Sequence, residues 1–308
     1  MEEQKIAMRV STVSIIGNVL LSLFKLIAGI FAHSGAMISD AVHSASDVFS
    51  TIIVMIGVTM AGKKSDVDHQ YGHERMECVA SIILAVILAA TGIGIGLSGI
   101  DKIEAGTHGT IVMPGKLALV AAVVSIAVKE WMYWFTRAAG RKINSGALMA
   151  DAWHHRSDAL SSIGAFIGIF GARMGYLVAD PIASVVICLF IEKAAFDIFK
   201  DSMDKMVDKS CTKEITEKMR QVILKQEGVE QIDVLRTRLF GAKVYVDVEF
   251  ATDGNRSLYE AHGIAEKVHD AIEQTFPNVK HCMVHVNPSH VNHVNSPVNP
   301  SHIEKVDS

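Results

Sequence analysis

The sequence predicts an all-α membrane domain of six transmembrane helices, followed by a small α+β domain of order αββαβ. Three observations predict it. Half of the 308 residues are hydrophobic and the mean hydropathy is +0.30, too apolar for an ordinary soluble chain. The apolar residues fall into six stretches, each near the roughly 20 residues that cross a bilayer as a helix. Beyond residue 205 the pattern changes to short amphipathic elements.

The expected spans cover about 10–32, 36–61, 78–100, 115–137, 146–171 and 177–199. The first follows "MEEQKIAMRV" and ends at no small-residue cleavage site, so it reads as a retained span rather than a signal peptide. Lys5, Arg9, Lys63, Lys64, Arg75, Arg137, Arg141 and Lys142 flank the spans on one side, against Lys102, Lys116 and Arg173 on the other. The positive-inside bias therefore expects both termini in the cytoplasm, in a multi-pass protein of the cell (inner or plasma) membrane.

In the polar part, "TKEITEKMRQVILKQEG" has a helix pattern closed by Gly228, and "VEQIDVLRTRLFG" and "AKVYVDVEFA" read as strands. "SLYEAHGIAEKVHDAIEQTF" is a second amphipathic helix with Ser257 as its N-cap, and "VKHCMVHVNP" is a third strand. The last stretch is rich in Asn, Ser, Pro and His and reads as a disordered tail. The expected domains are thus 1–204, 205–288 and the tail 289–308.

A net charge of −4 gives no reason to expect nucleic acid as a partner. Cys78, Cys188, Cys211 and Cys282 are far apart and form no CxxC pair, which indicates reduced thiols rather than a disulfide framework or thiolate cage. No GxxxxGK[ST] loop is present, which argues against direct ATP drive.

Two apolar spans carry nearly the same polar pattern: "DAVHSASD" from Asp40 to Asp47 and "DAWHHRSD" from Asp151 to Asp158. Ionisable groups inside a membrane are expensive and point to function. Helical residues four apart share a face, so His43 points with Asp47 and His154 with Asp158. If these spans face each other, two imidazoles and two carboxylates converge. Such an N2O2 set suits Zn²⁺, and a dication removes the penalty of burying two carboxylates. Asp40 and Asp151, three residues before the histidines, are candidates for orienting an imidazole or relaying protons. His155 and Arg156 fall off the HxxxD face and read as partners for other polar groups. In the loop "SDVDHQYGHER", Asp66, His69 and His73 bring a carboxylate and two imidazoles within eight residues, with Asp68 the weaker carboxylate.

"SGAMISDAVHSASD", "DHQYGHERMEC", "ALMADAWHHRSDALSS" and the ending "VHVNP" together resemble the cation diffusion facilitator family, over about residues 8–288. The resemblance implies a homodimeric divalent-metal/proton antiporter with six spans and a metallochaperone-like cytoplasmic domain through which it dimerises. It implies a transport site at His43, Asp47, His154 and Asp158, and a second zinc at the loop residues. In the cytoplasmic domain it implies regulatory metal near Asp233, Asp247, Glu249, His262, His285 and Asn287. Several of these are carboxylate or amide where zinc-binding relatives carry histidine, and harder ligands weaken zinc. Cys282 is a lesser candidate ligand, since cysteine is often a small buried hydrophobe. The resemblance also places Arg75 and Asp208 as a cytoplasmic charge lock. His290, His293 and His302 in the tail read as incidental.

The expected function is therefore not enzymatic. It is efflux of a divalent cation, Zn²⁺ first, by proton exchange through the intramembrane site. The alternatives are Fe²⁺, Co²⁺, Cd²⁺ or Mn²⁺ by the same route, or a membrane metal sensor that does not transport. A membrane metalloprotease would need HExxH, and "HERME" at His73 lacks the second histidine.

Overall fold

The computed structural model describes residues 2–31, 35–104, 116–173 and 179–289; within these stretches some side chains, Asp40 and His43 among them, lie outside the described residues. So do His290, His293 and His302. Among the described residues eleven elements follow in order. Six long helices come first: α1 Glu2–Phe31, α2 Gly35–Ala61, α3 Met76–Glu104, α4 Lys116–Lys142, α5 Gly146–Arg173 and α6 Ala179–Met206. Then come α7 Lys213–Leu224, β1 Gln231–Phe240, β2 Lys243–Asp253, α8 Leu258–Thr275 and β3 Val279–Ser289.

At 1.5 Å per residue the six helices, 27 to 30 residues each, are about 40–45 Å long and outreach a hydrocarbon core of about 30 Å. This is why they overrun the apolar stretches at their ends. Large apolar side chains such as Leu20, Phe31, Ile56, Leu189, Phe190 and Phe196 are exposed on their outer faces, as a lipid-facing surface requires. Among the described residues, two segments, Glu2–Ala28 and Met76–Leu97, are apolar enough throughout to cross a membrane by hydropathy alone. The other helices carry buried polar groups that dilute that signal, Asp47, Lys129, Asp151, His154 and Asp158 among them.

Packing pairs α3 with α6, α1 with α2, and α4 with α5. Apolar side chains gain little by leaving lipid for each other, so close approach of backbones matters more. Gly92 and Gly96, one turn apart on α3, allow it. A Cβ at Gly92 would stand 2.4 Å from the Glu192 carboxylate, and one at Gly96 would stand 2.6 Å from Cys188 Sγ.

The chain splits into two compact units: residues up to Lys209 together with Leu239–Lys243, and Ser210–Arg238 together with Val244 onward. In the second, the sheet order is β1-β2-β3, and β2 runs parallel to β3. A parallel pair needs a crossover, which α8 supplies. Ser257 caps α8 with a full capping box: its side chain accepts from the Glu260 N–H, and the Glu260 carboxylate accepts from the Ser257 N–H. Ile264, Val268 and Ile272, four apart on α8, are buried with Met219 and Ile223 of α7 and with Val246, Val248 and Phe250 of β2. After α7 the chain turns at Gly228, whose φ of +96° favours glycine and whose missing Cβ leaves room for Ile264.

Candidate metal centre

Inside the membrane unit, α2 supplies Asp47 and α5 supplies His154 and Asp158. All three are buried, and one ligand atom from each lies within 4.8 Å of the others. His154 Nε2 is 3.5 Å from Asp47 Oδ1, and His154 Nδ1 has no hydrogen-bond partner among the described residues. His43 belongs to α2, but its side chain lies outside the described residues.

A residue that sequence reasoning missed stands at the middle of this cluster. Lys129 of α4, 1% exposed, donates to Asp47 Oδ2 at 2.5 Å and to Asp158 Oδ2 at 2.8 Å. Its third contact is Asn18 Oδ1 of α1, at 2.9 Å. The ammonium therefore bridges the carboxylates of two helices and supplies the positive charge that their burial demands. Another buried lysine, Lys25, donates to Ser44 Oγ at 2.8 Å. A lysine within an apolar run is the signal that could have flagged both, yet nothing local says which carboxylate it meets.

The remaining polar residues of α5 divide between two surroundings. Asp151 is fully buried; it accepts from Thr51 Oγ1 at 3.2 Å, and its other oxygen lies 3.6 Å from His155 Nε2. Arg156 leaves this stripe for an aromatic face, 4.4 Å above the Tyr133 ring, and also pairs with Glu130 at 3.6 Å.

The loop between α2 and α3 brings Asp66, His69 and His73 together. Asp66 Oδ1 accepts from the His69 N–H at 2.8 Å and lies 3.2 Å from His69 Nδ1; His73 Nε2 is 3.4 Å from Asp66 Oδ2. The chain folds back at Gly72, whose N–H donates to the His69 carbonyl at 3.0 Å with φ at +97°. The bond from the His69 backbone holds the Asp66 carboxyl down at about 2, with help from Lys63 and both imidazoles. Asp68 is exposed and stands outside the group. Nearby, Arg75 pairs with Asp208 within the one chain.

In the second unit the candidate ligands are more dispersed. Glu249 and His285 are direct partners across β2 and β3, and Asp247 lies two residues before Glu249 on the same strand face. His262 is exposed on α8 and pairs with Glu266 at 3.4 Å. Asn287 donates to Asp233 at 2.8 Å. Among the described residues Asp247, Glu249, His262 and His285 do not form one ligand group within the chain. Burial pushes the Cys282 thiol up to about 12, which keeps it protonated and a poor ligand. A different trio, His269, Glu273 and His281, does converge. The HxxxE spacing of His269 and Glu273 on α8 is the signal in the sequence that marks two of the three.

Residues 11–207 match the cation efflux transmembrane domain, and residues 211–289 match the cytoplasmic domain of cation efflux proteins. The chain belongs to the cation diffusion facilitator family. Among family relatives, an uncharacterized transporter of Methanocaldococcus jannaschii is 35% identical over 89% of this chain and 95% of its own. The manganese efflux system protein MneP of Bacillus subtilis is 31% identical over 93% and 98%. Metal tolerance protein C1 of Arabidopsis thaliana is 35% identical over 87% of this chain and 60% of its own. The buried cluster on α2, α4 and α5 lies within the cation efflux transmembrane match, and the trio on α8 and β3 lies within the cytoplasmic match.

Proposed function

We propose that this chain, as a cation diffusion facilitator, exports a divalent transition-metal ion from the cytoplasm in exchange for protons, with Zn²⁺ the first candidate. The observation that carries the reading is the Lys129 ammonium, held between Asp47 and Asp158 from two different helices. The protein keeps a cation between these carboxylates, where a metal ion is the natural alternative. His154 beside them adds an imidazole nitrogen, and His43 on α2 is the fourth ligand of the N2O2 set. Metal entering the site displaces the ammonium; when metal leaves, the ammonium returns and no buried carboxylate is left uncompensated. Protons compete for the same oxygens and nitrogens, because ligands must be deprotonated to bind metal. That competition couples export to a proton gradient.

Around this core the remaining assignments follow. The spans sit in the cell membrane with both termini cytoplasmic, the two domains meet just after α6, near residues 206–210, and 290–308 is a tail. Asp66, His69 and His73 hold a second ion at the cytoplasmic loop. Two copies dimerise through the cytoplasmic domain, where Asp247, Glu249, His262 and His285 take regulatory metal.

A second reading exchanges the cargo for Mn²⁺. It is favoured by the amide oxygen of Asn18 beside two carboxylates, a harder donor set than imidazole alone, and by relatives named for manganese efflux. The test is uptake of Zn²⁺, Mn²⁺, Fe²⁺, Co²⁺ and Cd²⁺ into proteoliposomes with and without a pH gradient. Gradient-driven zinc uptake supports the first reading, and manganese uptake that zinc does not inhibit supports the second. No flux of any ion sinks both.

A further inference from the structure

His269 and Glu273 stand one turn apart on α8, and His281 stands near the start of β3. His269 Nδ1 lies 2.7 Å from the Cys282 carbonyl oxygen. A carbonyl can only accept, so this nitrogen carries the proton and donates it, which fixes the tautomer of the neutral ring. Nε2 is then left with its lone pair 3.3 Å from Glu273 Oε1. In that neutral form a lone pair facing a carboxylate oxygen is repulsive unless a proton or a metal ion lies between them. His281 Nδ1 approaches the same oxygen at 3.9 Å.

The spacing fits one ion. Ligands at about 2.0–2.2 Å in tetrahedral geometry stand roughly 3.4 Å apart, and half-exposed His281 can close the remaining gap by rotation. The support around the group fits as well. The Cys282 N–H donates to Glu273 Oε1 at 3.2 Å, so one residue's main chain anchors both the imidazole and the carboxylate. Such outer partners, fixing tautomer and orientation, accompany metal-ligating histidines. All three side chains are partly exposed, which leaves a fourth position for water or an exchanging ligand.

We propose that His269, Glu273 and His281 form a three-ligand site for a divalent transition-metal ion of the zinc class, separate from the membrane site and from the loop. Bound metal ties the last turns of α8 to β3 and so stiffens the helix–strand crossover. The inference does not rest on the transport reading.

The test uses the full chain in detergent, with Zn²⁺ alone as the probe. Histidines are labelled with diethyl pyrocarbonate, with and without Zn²⁺, and the rates at His269 and His281 are read by peptide mass spectrometry. The expected result is several-fold slower labelling of both in zinc, reversed by chelator. His281→Ala, at a partly exposed side chain, removes the protection of His269, and Glu273→Gln removes it at both histidines. Protection persists in Asp47→Ala, which separates this site from the membrane cluster. Equal labelling rates with and without zinc in the wild-type chain overturn the proposal, as does protection of His269 that survives His281→Ala. So does protection that disappears in Asp47→Ala.

Discussion

The intramembrane cluster and the loop cluster use the same side chains, carboxylate and imidazole, and differ in what neutralises them. Asp66, His69 and His73 lie within eight residues, and a backbone N–H and a nearby lysine satisfy the carboxylate. The cluster is built by a local turn. Asp47 comes from one helix and His154 and Asp158 from another, and their compensation comes from Lys129 on a third. Where burial keeps the carboxylates from bulk solvent, the protein supplies its own cation. A cluster of the first kind needs no buried counter-ion, whereas the second requires positive charge among its carboxylates.

The largest expected effect sharpens this contrast. Asp47→Ala or Asp158→Ala abolishes metal flux in proteoliposomes, with a loss above the roughly 10–100-fold that follows removal of an outer-shell partner. Flux at the wild-type rate in either variant removes the membrane cluster from the transport route.

Lys129→Met comes next. It leaves two buried carboxylates without their cation, and breaking a buried pair in this way costs about 3–5 kcal/mol. In chelator the variant melts below the wild type. Saturating Zn²⁺ raises its melting temperature by more than that of the wild type, because the ion no longer competes with an ammonium. Equal metal-induced shifts in the two proteins mean that Lys129 and metal do not share one place.

A smaller, partial fall in zinc flux is expected for His69→Ala and His73→Ala, since the loop lies outside the buried cluster. Loss as complete as that of Asp47→Ala breaks the distinction between the two sites. The same loop makes a pH prediction. Asp66 titrates at about 2 against an ordinary 3.8, so its folded pKa is depressed. Its stabilisation of the turn is full above 3.8 and is lost as pH falls toward about 2. Hydrogen exchange at the His69 amide, corrected for its intrinsic pH dependence, stays protected from neutral pH to mild acid. Loss of that protection near pH 6 means the Asp66 bond does not hold the loop.

The smallest effect belongs to the tail. Removing 290–308 leaves zinc flux nearly unchanged, because the stretch is polar and proline-containing and its histidines are sparse in sequence. A large rise in the zinc concentration needed for half-maximal flux contradicts that.

Periodicity alone determined much of this protein. Six apolar runs of bilayer length, the HxxxD faces of α2 and α5, the alternating strand around Asp247 and the Ser257 cap are all local patterns, set by a few neighbouring residues. The loop trio was legible for the same reason, since eight residues cannot carry their side chains far apart. What only the tertiary structure decided is which distant groups share a charge. Lys129 is 82 residues from Asp47 and 111 from Asn18, and no helix period relates them. Their meeting depends on how α1, α2, α4 and α5 are arranged, which is set by close packing along whole helices. The trio on α8 and β3 lies between these cases. The turn of α8 pairs His269 with Glu273 from sequence alone, but the parallel crossover that brings β3 beside α8 adds His281 and the Cys282 main chain. Local geometry presents ligands; long-range packing chooses the ones that meet.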